Sequence, residues 1–155
     1  LRTARLLISK AKSPDMPALA AIWADADVRR YLGGSISRDE ALARVDSRVA
    51  AGQLCAVRLY GNDRIIGCVV LEEVRPLELE VSYLFNVDAW GYGYATESVS
   101  AVVEKIRDRF NGYEVVAKTQ AANLPSRRLL SRLGFRMEQE IIEFGEPQAI
   151  FRQRL

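Results

Sequence analysis

A chain of 155 residues and 17.4 kDa, 49% hydrophobic and 27% charged, is long enough for one domain with a true core. It contains no histidine, which excludes Ser-His-Asp and Cys-His catalysis and every His-ligated zinc or haem site. Basic and acidic side chains, 22 against 20, are interspersed, so the net charge of +2 gives no footprint for duplex nucleic acid, and two cysteines are too few for a metal cage.

No signal-peptide pattern opens the chain, which starts on Leu1, and the expectation is a cytoplasmic protein. Arg5 to Lys10 reads as a short strand. Ser13-Pro14-Asp15 then starts a helix on which Met16, Leu19, Ile22 and Trp23 recur at helical spacing. Asp25 to Tyr31 reads as a further short helical piece stopped by Gly33-Gly34. Ser37 with Glu40 forms a capping box for a helix from Arg38 to about Ala50.

Leu54 to Tyr60 and Arg64 to Val74 are β-rich runs around a Gly61-Asn62-Asp63 turn, a hairpin signal. Cys55 and Cys68 lie inside these apolar runs and read as buried, reduced thiols rather than a disulfide or a nucleophile. The apolar run Ile65 to Leu71 is seven residues, against the ~18–20 that cross a bilayer, so no membrane span is expected. Leu77 to Phe85 alternates Leu79, Val81, Tyr83 and Phe85 with Glu78, Glu80 and Ser82, completing an antiparallel meander.

After Trp90-Gly91-Tyr92-Gly93, the residues Ala95, Val99, Val102, Val103, Ile106 and Phe110 step by three and four, the pattern of an amphipathic helix closed by Asn111-Gly112. Glu114 to Lys118 is a short strand. Pro125 starts a helix that stops at Gly134, and Phe135 to Phe144 and Ala149 to Leu155 form a closing hairpin around Gly145-Glu146-Pro147. Residues 1–155 therefore read as a single domain of mixed α/β (α+β) class. Its sheet is mostly antiparallel, with a strand-helix-strand crossover in the middle.

A strand that runs through Gly91-x-Gly93 into a helix makes an anion cradle. Glycine permits positive φ, and the first N–H groups of the helix are unpaired at the positive end of its dipole. A tight turn after an edge strand accounts for the two glycines equally well.

The combination of Val81-Ser82-Tyr83-Leu84-Phe85, Trp90-Gly91-Tyr92-Gly93-Tyr94-Ala95-Thr96-Glu97 and Asn123-Leu124-Pro125-Ser126-Arg127-Arg128-Leu129-Leu130-Ser131-Arg132-Leu133-Gly134-Phe135 resembles the GNAT superfamily of N-acetyltransferases. It looks most like the RimJ/RimL-like branch that includes the bacterial ribosomal-protein-alanine acetyltransferases. Thr3 to Ile8 and Ile22 to Leu32 look like that branch's N-terminal segment, so the resemblance spans nearly the whole chain.

The resemblance implies a sheet of about seven strands flanked by helices, with a splayed central strand, and acetyl-CoA as co-substrate. Trp90, Gly91, Tyr92, Gly93, Tyr94, Ala95 and Thr96 would wrap its pyrophosphate. Phe85, Asn86 and Val87 would line the pantetheine arm, and Asn123 would hold that arm or an ordered water. Ser126 matches the position proposed to protonate the departing thiolate; the tyrosine that many relatives carry one turn later is Leu130 here, which leaves the acid role to Ser126 or to solvent.

Direct attack by a neutral amine needs only a modest base, since a peptide N-terminus has a pKa near ~8. Glu80 matches the acidic residue that precedes the family's Gly-Tyr pair, which is Ser82-Tyr83 in this chain; Glu78 or water are the other choices. Glu97, in the first turn of the long helix, is expected to point away from a bound phosphate and act structurally. Trp23 is expected in the core.

The function implied is transfer of an acetyl group from acetyl-CoA to a primary amine, a peptide N-terminus or a small molecule, by a monomer or homodimer. A non-catalytic CoA- or peptide-binding module on the same fold is the alternative. A dinucleotide fingerprint fits poorly: Thr96 stands where the third glycine belongs, and the next strand ends on Lys118 rather than an acidic residue.

Overall fold

The computed structural model describes residues 1–155. Seven strands form one sheet: β1 (Leu6–Lys10), β2 (Leu54–Leu59), β3 (Asn62–Arg75), β4 (Glu78–Phe85), β5 (Glu114–Gln120), β6 (Arg136–Glu143) and β7 (Glu146–Arg154), in the spatial order β1-β2-β3-β4-β5-β7-β6. Four helices flank it: α1 (Met16–Ala24), α2 (Arg38–Ala50), α3 (Tyr94–Arg107) and α4 (Leu124–Arg132). Every neighbouring pair is antiparallel except β4 and β5, joined by the α3 crossover.

Each face of the sheet has its own helix layer. Helices α3 and α4 cover one face, where Val99, Val102, Val103, Leu129 and Leu130 meet Leu6, Val57, Val69, Val81 and Phe151 in the larger core. Helices α1 and α2 cover the other, where Leu19 and Val45 meet Leu54, Ala56, Cys68 and Val70. The side-chain period of two along each strand assigns alternate residues to the two layers.

The pairing of β4 with β5 places the site. Only Glu78, Leu79 and Glu80 find partners, at Glu114, Val115 and Val116. Val81 to Phe85 stay paired with β3 alone, so the two central strands part beyond Glu80, producing the expected splay.

Local differences from the sequence expectations have simple causes. Asp25 to Tyr31 is a series of turns rather than a helix: the Asp25 carboxylate accepts from the N–H groups of Asp27 and Val28, and buried Arg29 donates to the carbonyls of Gly34 and Leu32. The β2–β3 turn moves to Tyr60-Gly61, and β3 begins at Asn62. The last hairpin turns at Phe144-Gly145, both at positive φ, so Glu146 and Pro147 belong to β7. Helix α3 ends at Arg107, before Phe110.

Cys55 and Cys68 are free thiols on opposite faces of the sheet, Cys55 against the α3/α4 core and Cys68 in the α1/α2 core. Strand alternation keeps them apart. Trp23 lies in the second core, its indole nitrogen 3.3 Å from Cys68 Sγ.

Candidate active site

The free edge of β4 carries main-chain groups with no strand beside them. Asn86 N–H donates to Ile66 C=O on β3, while Leu77 C=O accepts from Glu114 N–H on the β5 side. Hydrogen-bonding direction alternates along a strand. The even-numbered residues of β4 therefore serve β3, and the main-chain groups of Tyr83 and Phe85 face the opening. Of these, Phe85 C=O is taken by the Trp90 indole N–H at 2.9 Å. This bond gives tryptophan at position 90 a local purpose, closing the end of the strand. Asn86 turns away, with its N–H on Ile66 and its side-chain amide 3.4 Å from Ile65 C=O, while Val87 is exposed.

From the strand end the chain passes through a 3-10 turn, Val87–Ala89, into the segment expected to be an anion cradle. Gly91 and Gly93 have φ of 82° and 79°, in the left-handed region open to glycine at little cost. Nothing lies within 4 Å of a Cβ added at Gly91, so its requirement is conformational rather than spatial. The N–H groups of Gly91, Tyr92, Gly93, Tyr94, Ala95 and Thr96 meet no acceptor in the chain, and the helical ladder begins with Glu97 N–H on Gly93 C=O. Six successive donors at the positive end of α3 form a concentrated anion-binding surface.

Arg5 and Glu97 brace this segment. Arg5 Nε lies 2.8 Å from Glu97 Oε2, Arg5 donates to Tyr92 C=O at 2.9 Å, and its guanidinium sits 4.7 Å from the centre of the Tyr94 ring. Glu97 also accepts from the Thr3 hydroxyl and the Arg5 N–H. The carboxylate is thus turned toward the N-terminal strand, as expected of a structural residue. Arg5 had no sequence signal; its role exists only because β1 runs beside α3.

Across the opening, Asn123 caps α4, its Oδ1 accepting from Ser126 N–H at 3.2 Å, while its Nδ2 has no partner. Ser126 Oγ lies 2.7 Å from Tyr83 Oη. Burial pushes the Tyr83 phenol up to about 12, its contact with Ser126 offsetting part of the rise. Leu130 is wholly buried in the main core. Arg127 bonds Ala121 C=O and pairs with Glu140, a structural arrangement, whereas Arg128 and Arg132 are exposed and unpaired.

Glu80 closes the bottom of the opening on the other face. It is the last residue of β4 paired with β5, with Lys118 Nζ 3.7 Å from its Oε2; the same ammonium is 3.9 Å from Glu143. Glu78 is engaged elsewhere, held by Arg152 at 2.5 Å. Since Glu80 and Tyr83 differ in parity along β4, Glu80 and the Tyr83–Ser126 pair flank the opening from opposite faces of the sheet.

Gly67 is a requirement that the sequence did not signal. A Cβ there would stand 2.3 Å from the Phe85 ring and 2.7 Å from Leu84 C=O. The ring lies flush across β3 at the register pair Gly67–Phe85, anchoring the end of β4.

Known proteins share this architecture. Residues 5–136 match the acetyltransferase (GNAT) domain family. The chain is 28% identical over 141 residues to the uncharacterized N-acetyltransferase YnaD of Bacillus subtilis, covering 89% of this chain and 83% of that one. The solved GNAT-family acetyltransferase of Bacillus anthracis superposes with a TM-score of 0.89 at 23% identity, covering 99% of this chain and 96% of the other. The Salmonella typhimurium acetyltransferase described as modifying the N-terminal serine of ribosomal protein L7/L12 superposes with a TM-score of 0.84 at 15% identity, over 99% and 96% of the two chains. With the family match spanning residues 5–136, most of its length, this chain belongs to the GNAT family of N-acetyltransferases.

Proposed function

We propose that residues 1–155 act as one domain that transfers the acetyl group of acetyl-CoA to a primary amine, a peptide N-terminus or a small-molecule amine, by direct attack in a ternary complex. The observation that carries this is the continuity between six open N–H donors at Gly91–Thr96 and the unpaired edge of β4. An anionic diphosphate suits the first, and a chain of amides able to pair like a strand suits the second.

Gly91 to Thr96 hold the pyrophosphate; Trp90, expected to join them, spends its main-chain N–H on Val87 C=O and its indole N–H on Phe85 C=O. Phe85 and Val87 line the pantetheine arm, with the Tyr83 main-chain groups and the Phe85 N–H as its partners, while Asn86, expected beside them, is turned to β3 by its bonds to Ile66 and Ile65. Asn123 offers its unused Nδ2 to the same arm. The thioester carbonyl lies against the β4 edge, where a main-chain N–H stabilises developing negative charge on oxygen. The amine approaches from the Glu80 face, and Glu80 takes its proton directly or through one water. The thiol leaves on the opposite face, beside Ser126. No imidazole is needed, because the thioester is already an activated acyl donor and its thiol, with a pKa near ~8.5, is a fair leaving group.

Calorimetric titration with acetyl-CoA, followed by a thiol-release assay with pooled peptides and polyamines, tests this reading. Saturable binding at low micromolar to submillimolar concentration and amine-dependent thiol release are expected. A flat titration of folded protein refutes it, and binding without release for any amine transfers the chain to the non-catalytic alternative.

A further inference from the structure

Position 130, one turn beyond Ser126, holds a core leucine, yet a phenol reaches the Ser126 hydroxyl from the other wall of the opening. Tyr83 projects from the free part of β4, beyond the last residue paired with β5, and its Oη lies 2.7 Å from Ser126 Oγ in the first turn of α4. Neither hydroxyl has another partner in the chain. A serine hydroxyl has one hydrogen and two lone pairs. Either hydroxyl can donate across this contact; the phenol, the more acidic of the two groups, is the one assigned that role here. Ser126 then accepts from Tyr83 and retains its own hydrogen uncommitted.

We propose that Tyr83 is a positioning residue for departure of the CoA thiol: by donating to Ser126 Oγ, it fixes the serine with its hydrogen available to the thioester sulfur. This rests on the acetyl-transfer reading above. In the step served, a bond forms between the amine nitrogen and the carbonyl carbon, and the C–S bond breaks with its electron pair going to sulfur. The Ser126 O–H hydrogen-bonds the thiolate without losing its proton, because the thiol, at about 8.5, is far the stronger acid. The thiolate gains a proton from water, balancing the one the amine surrenders through Glu80 or water. A hydrogen bond to a charged acceptor is stronger than one between neutral groups, so the arrangement favours the thiolate over the intact thioester.

The test titrates the thiol of bound CoA by its thiolate absorbance in the wild type, Tyr83→Phe, Ser126→Ala and the double variant. Thioester turnover is followed alongside. Phenylalanine keeps the ring that packs against the core, and thermal melting verifies that each variant folds. In the wild type the bound thiol should ionise below its free value of about 8.5, and Tyr83→Phe should raise it by about half a unit to one unit. Ser126→Ala should raise it further, with the double variant matching Ser126→Ala because Tyr83 acts through the serine. The kcat of Tyr83→Phe should fall about 3- to 10-fold with KM for acetyl-CoA within about twofold.

A bound thiol that ionises at its free value in the wild type overturns the inference. So does one that ionises identically in the wild type and Tyr83→Phe, or a Tyr83→Phe loss that adds in full to that of Ser126→Ala. Failure of CoA to bind the wild type at all refutes the acetyl-transfer reading itself, and the inference with it.

Discussion

Arg5, immediately before β1, and Glu97 in the first turn of α3, ninety-two positions apart in the chain, hold each other at 2.8 Å, and the same guanidinium takes the Tyr92 carbonyl. The glycine segment is thereby tied to the opposite end of the sequence. Glu97→Gln should destabilise the fold by about 1–2 kcal/mol, because charge-assisted bonds become neutral ones, and should weaken acetyl-CoA binding several-fold. Unfolding titrations and calorimetry measure the two effects; unchanged affinity would show that the brace does not shape the cradle.

The same carboxylate makes a pH prediction. Burial pushes Glu97 up, but its hydrogen bonds from Thr3 and Arg5 outweigh burial and hold the carboxyl below its usual range. A carboxyl depressed in the folded state contributes stability that is complete above the unfolded value of about 4.3 and disappears as pH falls through the lower folded value. Between about pH 5 and pH 3, wild-type stability should therefore fall more steeply than that of Glu97→Gln. Parallel denaturant curves at each pH give the comparison.

Gly67→Ala drives a methyl group into the Phe85 ring and the Leu84 carbonyl. The ring must leave its place at the end of β4, at a cost of about 1–3 kcal/mol. Acetyl-CoA affinity should fall with stability, since Phe85 ends the edge proposed to pair with pantetheine. Gly91→Ala separates conformation from space, because the site is open but φ is 82°. A cost of about 1–2 kcal/mol is expected there from the left-handed backbone alone. Thermal melts and calorimetry of both variants provide the readout.

Glu80→Gln tests the base. If the carboxylate takes the amine proton, kcat should drop by about 10²-fold or more while acetyl-CoA binding is unchanged. A rate that survives the substitution assigns proton removal to water. Lys118→Ala, which removes the ammonium 3.7 Å from this carboxylate, should alter the acceptor KM and leave acetyl-CoA affinity unaltered.

The thiols should be inert in the native protein. Burial pushes Cys68 up to about 11, with the Trp23 indole N–H and a main-chain bond acting the other way, and burial also raises Cys55. Alkylation near pH 7.5 should be slow until the chain unfolds, when both thiols react. Rapid native labelling of Cys68 would contradict its place in the α1/α2 core.

Much of this architecture is written in local pattern. The alternation of Leu79, Val81, Tyr83 and Phe85, the stepping of Val99, Val102 and Val103, and the cap at Ser37 each depend on neighbours within a turn or a strand, so period and turn chemistry disclose them. Asp25 to Tyr31 failed the same treatment. Its conformation is set by the Asp25 carboxylate and by a buried Arg29 gathering carbonyls from its own loop, and charge pattern reveals neither.

The sequence by itself determined the order and type of most elements, the glycine segment before α3, the family resemblance and, through its missing histidine, a chemistry without imidazole. All of these follow from residue identity and short spacing. Tertiary structure alone decided the onset of the splay at Glu80, the brace between Arg5 and Glu97, the demand for glycine at 67 and the meeting of Tyr83 with Ser126. Each joins groups on separate elements, and which groups meet depends on strand order, register and crossover. Those are set by packing two helix layers onto one sheet, and no local periodicity encodes them.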